Sequence, residues 1–245
     1  MIRERGGAFV PDQEVPPDHV ARYEWATPQV KGLRVLDAGS GYGYGSDHLA
    51  ANGAGWVVGV DTDPHAIRYA RAHYHRPALE FALGKIQAVR TATFEAVISF
   101  EVLEHVQDGP GYLSQLVRLI RPGGVLFLST PNRAFTERSY VDGRSPNPFH
   151  LREYYAAEVA EMLRPHFASV ACFHEENPDS YWTYSDNCWI PASFRRVIPK
   201  SVKNAWLKGK GVQSGGVAGH FQFTPVVDPA VFPGTWGAQV YRCQK

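Results

Sequence analysis

Residues 35–61 read VLDAGSGYGYGSDHLAANGAGWVVGVD and carry the strongest structural signal in this chain of 245 residues. They begin with an apolar run, pass through the glycine-rich turn 37–43 and a helix-like segment, and end in a second apolar run that finishes on Asp61. A strand, a glycine-rich turn, a helix and a strand with a terminal acid outline a nucleotide-binding βαβ unit. The stretch therefore predicts an α/β protein with a doubly wound, mostly parallel sheet and a ligand site at the carboxyl ends of its strands.

The turn indicates which nucleotide fits. A dinucleotide fingerprint has a third glycine three residues after the second, where this chain has Tyr44. A pyrophosphate at the start of the helix would also be repelled by the nearby carboxylate of Asp37. S-adenosylmethionine (SAM) has no phosphate and carries an ammonium and a sulfonium, so Asp37 favours it. Asp61 can accept hydrogen bonds from both ribose hydroxyls.

Three segments, in order, resemble motifs of the class I SAM-dependent methyltransferases. The first is the glycine-rich stretch; residues 93–106 (TFEAVISFEVLEHV) resemble the fourth motif, and residues 119–132 (LIRPGGVLFLSTPN) resemble the next block. The resemblance covers residues 18–173 and the last strand. It implies a Rossmann-like class I methyltransferase fold, a seven-stranded sheet with an antiparallel last strand, and SAM as cofactor. A flavin or nicotinamide domain, or a Rossmann relic without a ligand, is the alternative.

Composition narrows the class of protein. The formal net charge is +1, so nothing global points to nucleic acid or to an acidic partner. Cys172, Cys188 and Cys243 are few, odd in number and widely spaced, which suits a reducing cytoplasm and matches no zinc pattern. The first residues lack the apolar core of a signal peptide, and no run approaches a membrane span. We therefore expect a cytoplasmic protein without a transmembrane segment.

Apolar runs and Gly or Pro punctuation predict alternating strands and helices. The predicted strands are 34–37, 56–61, 79–83, 96–100, 125–129, 167–173 and 238–243, and the predicted helices are 19–27, 46–52, 63–75, 111–120 and 153–163. Four regions follow: an N-terminal arm with a cofactor-covering helix (1–33), a SAM-binding core (34–174), an insertion (175–236) and the final strand of the core (237–245).

The insertion is too long for a plain loop in a compact domain. It is rich in large aromatic residues, and residues 190–211 hold six basic side chains and no acid. Two interpretations stay open. The insertion could be a lid over the methyl acceptor, or a small core of its own that mediates a homodimer.

The resemblance implies a role for each cofactor-binding position. The glycines of the turn permit close backbone approach, Asp37 faces the methionine end, and Asp61 takes the ribose. Similar enzymes often have an acid beside the adenine amino group at the position of Lys85. Because this chain lacks that carboxylate, the backbone of Lys85 and the Ile86 side chain are expected to hold adenine. The residues expected to bind SAM are Tyr23, Asp37, Gly39, Ser40, Gly41, Gly43, Asp61, Thr62, Lys85, Ile86, Ser99 and Phe100.

Three residues are candidates for the chemistry of methyl transfer. His105 follows strand four, where several small-molecule methyltransferases place a general base; the alternative is that it orders the loop through a backbone carbonyl. His150, with Asn147, could bind the acceptor or merely cap the next helix. Glu101 is expected to position groups rather than to act as a base. No metal is expected from the set Glu101, Glu104 and His105.

The predicted function is methyl transfer from SAM to an oxygen or nitrogen of a small metabolite. A nucleic-acid or protein methyltransferase is the second hypothesis, disfavoured by balanced charge and by the absence of an NPPY-type tetrapeptide. A non-catalytic SAM-binding scaffold that dimerises through the insertion is the third. The expected partner is therefore a small-molecule methyl acceptor, with no nucleic acid.

Overall fold

The computed structural model describes residues 15–89, 94–145, 147–176, 221–231 and 238–245. One sheet runs through this part of the chain, with the strand order β3-β2-β1-β4-β5-β8-β6-β7. Its strands are β1 (Arg34–Ala38), β2 (Trp56–Asp61), β3 (Leu79–Leu83), β4 (Phe94–Phe100), β5 (Ile120–Pro131), β6 (Ser169–Glu176), β7 (Gln222–Val226) and β8 (Ala238–Gln244).

Strands β1 to β5 pair in parallel, and β8 lies antiparallel between β5 and β6. The predicted Rossmann-like fold is confirmed, including the antiparallel last strand. An eighth strand joins the seven that were predicted, because β7 pairs antiparallel with the outer edge of β6 from Cys172 to Glu176. For the same reason β6 continues beyond Phe173, where the sequence predicted its end, and the predicted core boundary at residue 174 falls inside this strand.

Six α-helices connect the described strands. They are α1 (Pro17–Ala26), α2 (Tyr44–Ala51), α3 (Pro64–His73), α4 (Gly109–Leu119), α5 (Arg133–Thr136) and α6 (Ala156–Leu163). Asp63 caps α3 by accepting from the His65 backbone N–H, as its place before Pro64 suggests. Helix α6 starts three residues later than predicted, because the Glu158 carboxylate accepts from the Tyr155 backbone N–H at 2.8 Å and satisfies this group just before the first turn.

Alternate residues of the central strands point to opposite faces of the sheet and belong to two hydrophobic clusters. Leu36 belongs to a cluster built with α4 and α6, whereas its neighbour Val35 belongs to a cluster built with α1, α2 and α3. Helices therefore cover both faces, and the carboxyl ends of the parallel strands stay open at one edge, where ligands bind in such sheets. In the described part of the chain, every helix is too short or too polar to cross a membrane.

Most of the predicted insertion lies outside the described residues. Positions 177–220 and 232–236 of the insertion, with the basic run and most of the aromatic side chains, belong to this part. The described part of the insertion includes the end of β6 and strand β7. The Phe223 ring of β7 stacks on Trp25 of α1 with centroids 5.0 Å apart. Trp25 also contacts Phe127 and Phe173 edge-on, so α1 and β7 pack over the same side of the sheet.

Candidate active site

A cavity of about 830 Å³ lies at the carboxyl ends of β1, β2 and β4. Glu101, His105 and His150, the three residues expected to take part in the chemistry, all line it. So do nine of the twelve positions expected to bind SAM: Tyr23, Gly39, Ser40, Gly41, Asp61, Thr62, Lys85, Ile86 and Phe100. The structure thus brings the first set and most of the second into one concave space, which is the usual form of a small-molecule site.

The glycine-rich turn is fastened to the end of β2. The backbone N–H groups of Gly39 and Ser40 both donate to the Val60 carbonyl, at 2.8 and 3.1 Å. Gly39 has a φ of +86°, and a Cβ built on it would lie 2.3 Å from Cγ2 of Val102. This position therefore requires glycine for two reasons, the backbone conformation and the close approach of Val102.

Asp61 holds the turn in place from the other side. One carboxylate oxygen accepts from the Gly41 backbone N–H and the other from the Asp63 backbone N–H, both at 2.8 Å. Each oxygen can accept a second hydrogen bond, and Asp61 faces the cavity. Two backbone hydrogen bonds therefore hold the side chain in one orientation at the cavity, and each oxygen keeps capacity for a further hydrogen bond.

Asp37 lies behind the cavity wall and not on it, unlike the expectation that it faces the methionine end. Its side chain is fully buried and accepts hydrogen bonds from the Tyr23 hydroxyl at 3.0 Å and the Ser46 hydroxyl at 2.6 Å. Burial raises the pKa of Asp37 to about 6. Because Tyr23 does line the cavity, Asp37 would act on a ligand by fixing that ring.

Gly43 and Ser99 were also expected at the cofactor and lie outside the cavity lining. Gly43 has a φ of +89°, and a Cβ there would lie 2.7 Å from Ala70 and from Phe81, so this glycine serves the packing of α2 against α3 and β3. Ser99 is fully buried, and its hydroxyl shares a 2.8 Å hydrogen bond with the Tyr112 hydroxyl.

A buried charge network links α1 to the cavity and to β6. The Arg22 guanidinium lies 2.9 Å from Asp18, 3.6 Å from Glu101 and 2.8 Å from Glu175. Burial raises the pKa of Glu175 to about 7 despite the Arg22 charge beside it. Burial and the Arg22 charge lower the pKa of His19, on the cavity wall, to about 4.

Glu101 is held between this network and β5. Its Oε1 accepts a hydrogen bond from the Ser129 hydroxyl at 2.7 Å and lies 3.6 Å from Arg22. Its backbone has a φ of +54°, an uncommon conformation for a residue other than glycine. The carboxylate is thus fixed at the end of β4, as a positioning group would be.

His105 and His150 meet across the cavity wall, although they belong to separate segments. Their ring centroids are 5.0 Å apart in an edge-on contact. Nδ1 of His105 lies 2.9 Å from the Phe149 carbonyl, and Nδ1 of His150 lies 2.6 Å from Oε1 of Glu153. His105 thus contacts a backbone carbonyl, as expected if its role is to order the loop. It also lines the cavity, as expected of a general base.

Glu104 completes the group, and the sequence did not single it out as a partner of His150. Its Oε1 lies 3.7 Å from Nε2 of His105, and its Oε2 accepts from the Thr130 hydroxyl at 2.9 Å. Burial, with the nearby Glu101 charge, raises the pKa of Glu104 well above its usual range. The Glu104 carbonyl also accepts from the Leu151 backbone N–H at 2.8 Å, which brings the two histidine segments together.

Glu153 anchors the segment that carries His150. Although burial acts to raise the pKa of Glu153, hydrogen bonds from His150, Ser145 and Thr136 lower it to about 2. The Tyr140 hydroxyl donates to the same carboxylate at 3.0 Å. Glu153 is therefore an ionised acceptor that orients His150 toward the cavity.

The chain resembles known methyltransferases in sequence. A family model described as a methyltransferase domain matches residues 13–175. The "Probable S-adenosylmethionine-dependent methyltransferase" of Mycolicibacterium smegmatis is 37% identical over 147 residues, 59% of this chain and 55% of that protein. The ubiquinone biosynthesis O-methyltransferase of Paracidovorax citrulli is 30% identical over 177 residues, 67% of this chain and 71% of that protein. This chain thus spans about half the length of the Mycolicibacterium relative.

Solved structures show the same fold. The methyltransferase in a complex with the Haloferax volcanii Trm112 methyltransferase activator has a TM-score of 0.60 and 17% identity, over 93% of this chain and 88% of that one. Magnesium protoporphyrin IX methyltransferase from Synechocystis, with bound SAH, has a TM-score of 0.55 and 22% identity, over 67% of this chain and 83% of that one.

Proposed function

The chain belongs to the class I SAM-dependent methyltransferases, and from that premise we propose that it transfers the methyl group of SAM to an oxygen or nitrogen of a small metabolite. One observation carries the proposal. The glycine-rich turn with Asp61 and the pair His105 and His150 line a single cavity, so a cofactor and an acceptor can meet there. The names of the ubiquinone biosynthesis O-methyltransferases among the relatives support a small acceptor with a reactive oxygen.

SAM supplies an electrophilic methyl group, and the protein's task is to align it with the acceptor. We assign the ribose to Asp61 and the adenine to the wall formed by Lys85 and Ile86. Glu101, fixed by Ser129 and near Arg22, places negative charge close to the end of β4, where the cationic part of the cofactor would lie. A fixed charge of this kind requires no reorganisation during the reaction.

The acceptor must lose a proton when its oxygen or nitrogen is methylated, and we assign His105 as the group that takes it. If Nδ1 donates to the Phe149 carbonyl, the neutral ring carries its lone pair on Nε2. We assign His150 and Asn147, which line the same part of the cavity, to binding the acceptor. Glu153 supports this role because it fixes the His150 ring.

We further propose that α1 closes over the cofactor and that residues 175–236 set acceptor specificity. The stack of Trp25 on Phe223 supports a connection between the two, because it ties α1 to the strand contributed by this region. A homodimer through the same region stays a prediction, which the mass of the purified protein in solution would test.

The test is to incubate the purified chain with methyl-labelled SAM and a small-molecule extract of its source, and to identify the labelled product by mass. We expect one labelled compound of low molecular mass and formation of SAH. Label recovered only in protein or nucleic acid would contradict the small-metabolite assignment. Binding of SAM without any labelled product would instead favour the scaffold hypothesis.

A further inference from the structure

We propose that Glu104, His105 and His150 together bind a divalent transition-metal ion at the acceptor end of the cavity. One ligand atom from each residue lies within 4.8 Å of the other two. The proposal deepens the function given above, on which it rests, because it assigns the class of acceptor. It departs from the sequence-based expectation of no metal at Glu101, Glu104 and His105. Glu101 is engaged by Ser129 and Arg22, and the third ligand comes from His150.

The spacing of the ligand atoms suits a small ion. Zinc is bound by imidazole nitrogen and carboxylate oxygen at about 2.0–2.2 Å, which puts the ligand atoms of a tetrahedral site about 3.4 Å apart. Oε1 of Glu104 and Nε2 of His105 are 3.7 Å apart. All three ligand atoms lie within 4.8 Å of one another, and we infer that side-chain rotation brings them to coordination distance when an ion binds.

Each of the three side chains also has a hydrogen-bond partner outside the group. The Thr130 hydroxyl holds Glu104, the Phe149 carbonyl holds His105, and the ionised Glu153 carboxylate holds His150. Metal-binding histidines almost always have such a carbonyl or carboxylate on their second nitrogen. Two histidines with such partners, both within 4.8 Å of a buried glutamate, support a built site.

Two imidazoles and one carboxylate are a ligand set of zinc enzymes and of other divalent transition-metal sites, and they leave at least one coordination position open. The three residues line the cavity, so an acceptor can reach that position. A hydroxyl bound to the ion loses its proton more readily. We therefore infer an acceptor with a metal-binding hydroxyl, in particular one with two adjacent oxygens that chelate the ion.

In this form of the reaction the hydroxyl proton passes to water. The acceptor oxygen forms the new C–O bond, and the electron pair of the breaking C–S bond goes to sulfur, which gives SAH. Because Nε2 of His105 is then a ligand, it does not take the proton. The ion and the histidine base are thus alternative means of activating the same hydroxyl.

The test uses the chain of 245 residues after treatment with EDTA and buffer exchange. Zinc, manganese or magnesium chloride is titrated by calorimetry, and cobalt chloride by visible absorption. We expect one zinc ion per chain with a dissociation constant on the order of micromolar or below, consistent with a three-residue site, magnesium binding much more weakly, and a cobalt absorption band. His150→Ala and His105→Ala should each weaken zinc binding at least about 100-fold, the upper range seen when a metal site loses a supporting group, and remove the cobalt band.

His65→Ala, which removes an exposed histidine of α3 away from the cavity, is the matched control and should bind zinc normally. Binding of SAH to each variant checks that it is folded. Absence of zinc binding to a chain that binds SAH would overturn the metal site and leave the proposed function standing, as would zinc binding that both cavity variants retain. Failure to bind SAM and SAH would instead count against the proposed function.

Discussion

Arg22 and Glu175 are separated by 153 positions in the sequence and form a buried ion pair, with Nε of Arg22 2.8 Å from Oε2 of Glu175. The pair joins α1, which borders the cavity, to the strand that leads into the insertion. Asp18 and Glu101 lie against the same guanidinium, so one cation faces three carboxylates. Burial first, and then the Asp18 and Glu101 charges, raise the pKa of Glu175 to about 7 although Arg22 acts to lower it.

Glu175→Gln should change how stability depends on pH. Burial raises the pKa of Glu175 from its ordinary value of 4.5 to about 7, so the folded state binds this proton more tightly than the unfolded state. Its contribution to the free energy of unfolding is therefore largest below about pH 4.5 and is lost as the pH rises to 7, by about 3 kcal/mol at most. Because glutamine does not titrate, the free energy of unfolding of the variant should not fall in this way between pH 5 and pH 8. Urea unfolding at the two pH values measures the difference. Glu80→Gln, at an exposed carboxylate of β3, should behave like the unmodified chain. An equal pH dependence in all three proteins would contradict the assignment.

Asp61→Ala should weaken SAM binding by roughly 1.5–3 kcal/mol, the loss expected for charge-assisted hydrogen bonds. The reason is that Asp61 faces the cavity and also holds the turn through Gly41. Calorimetric titration with SAM and with SAH measures the change. The control is Asp63→Ala, which removes the cap of α3 and costs about 1 kcal/mol of stability, with cofactor affinity unchanged. Equal losses in both variants would mean that Asp61 acts only through the shape of the turn.

Gly39→Ala should abolish measurable SAM binding and lower the melting temperature. The new Cβ would lie 2.3 Å from Val102, in a backbone conformation that alanine rarely adopts. Adding Val102→Ala removes the steric clash and should restore part of the stability. The strain of a positive φ, about 1 kcal/mol or more, remains in the double variant. If Val102→Ala restores nothing, Val102 is not the group that excludes a side chain at position 39.

His105→Ala and His150→Ala distinguish the two means of activating the acceptor. If His105 takes the proton, its removal lowers kcat about 10²–10⁴-fold with SAM affinity intact, and His150→Ala raises the acceptor KM. If both bind a metal ion, the two variants lose kcat together and added zinc does not restore it. Steady-state kinetics with the identified acceptor, with and without EDTA, separates these outcomes. Near-normal rates in the double variant would exclude both.

The sheet was largely predictable because its central strands are continuous apolar runs bounded by glycine, proline or an acid. The predicted 56–61 and 79–83 coincide with β2 and β3. Strand β7 could not be found in this way. Its sequence, QFTPV, contains a proline and little apolar alternation, so its pairing with β6 at the edge of the sheet depends on the partner strand.

The sequence predicted where most site residues lie along the strands and loops, but not which way their side chains point. Spacing placed Asp37 at the end of β1, but Tyr23 and Ser46, from two helices, decide that its carboxylate points inward. The meeting of His105 with His150 depends on backbone hydrogen bonds from the second loop to Glu104. A local sequence pattern does not predict contacts of this kind between residues that are distant in the sequence.

Strand β8 joins two parts of the sheet that are otherwise separate, since it lies between β5 and β6 and follows residues 177–237 in the sequence. While a ribosome is making this chain, β5 and β6 each keep an open edge until Ala238–Gln244 has emerged. Open edges invite wrong pairing, and such distant pairing forms slowly. The emergence of these seven residues from the ribosome therefore allows β8 to join the two parts into one sheet.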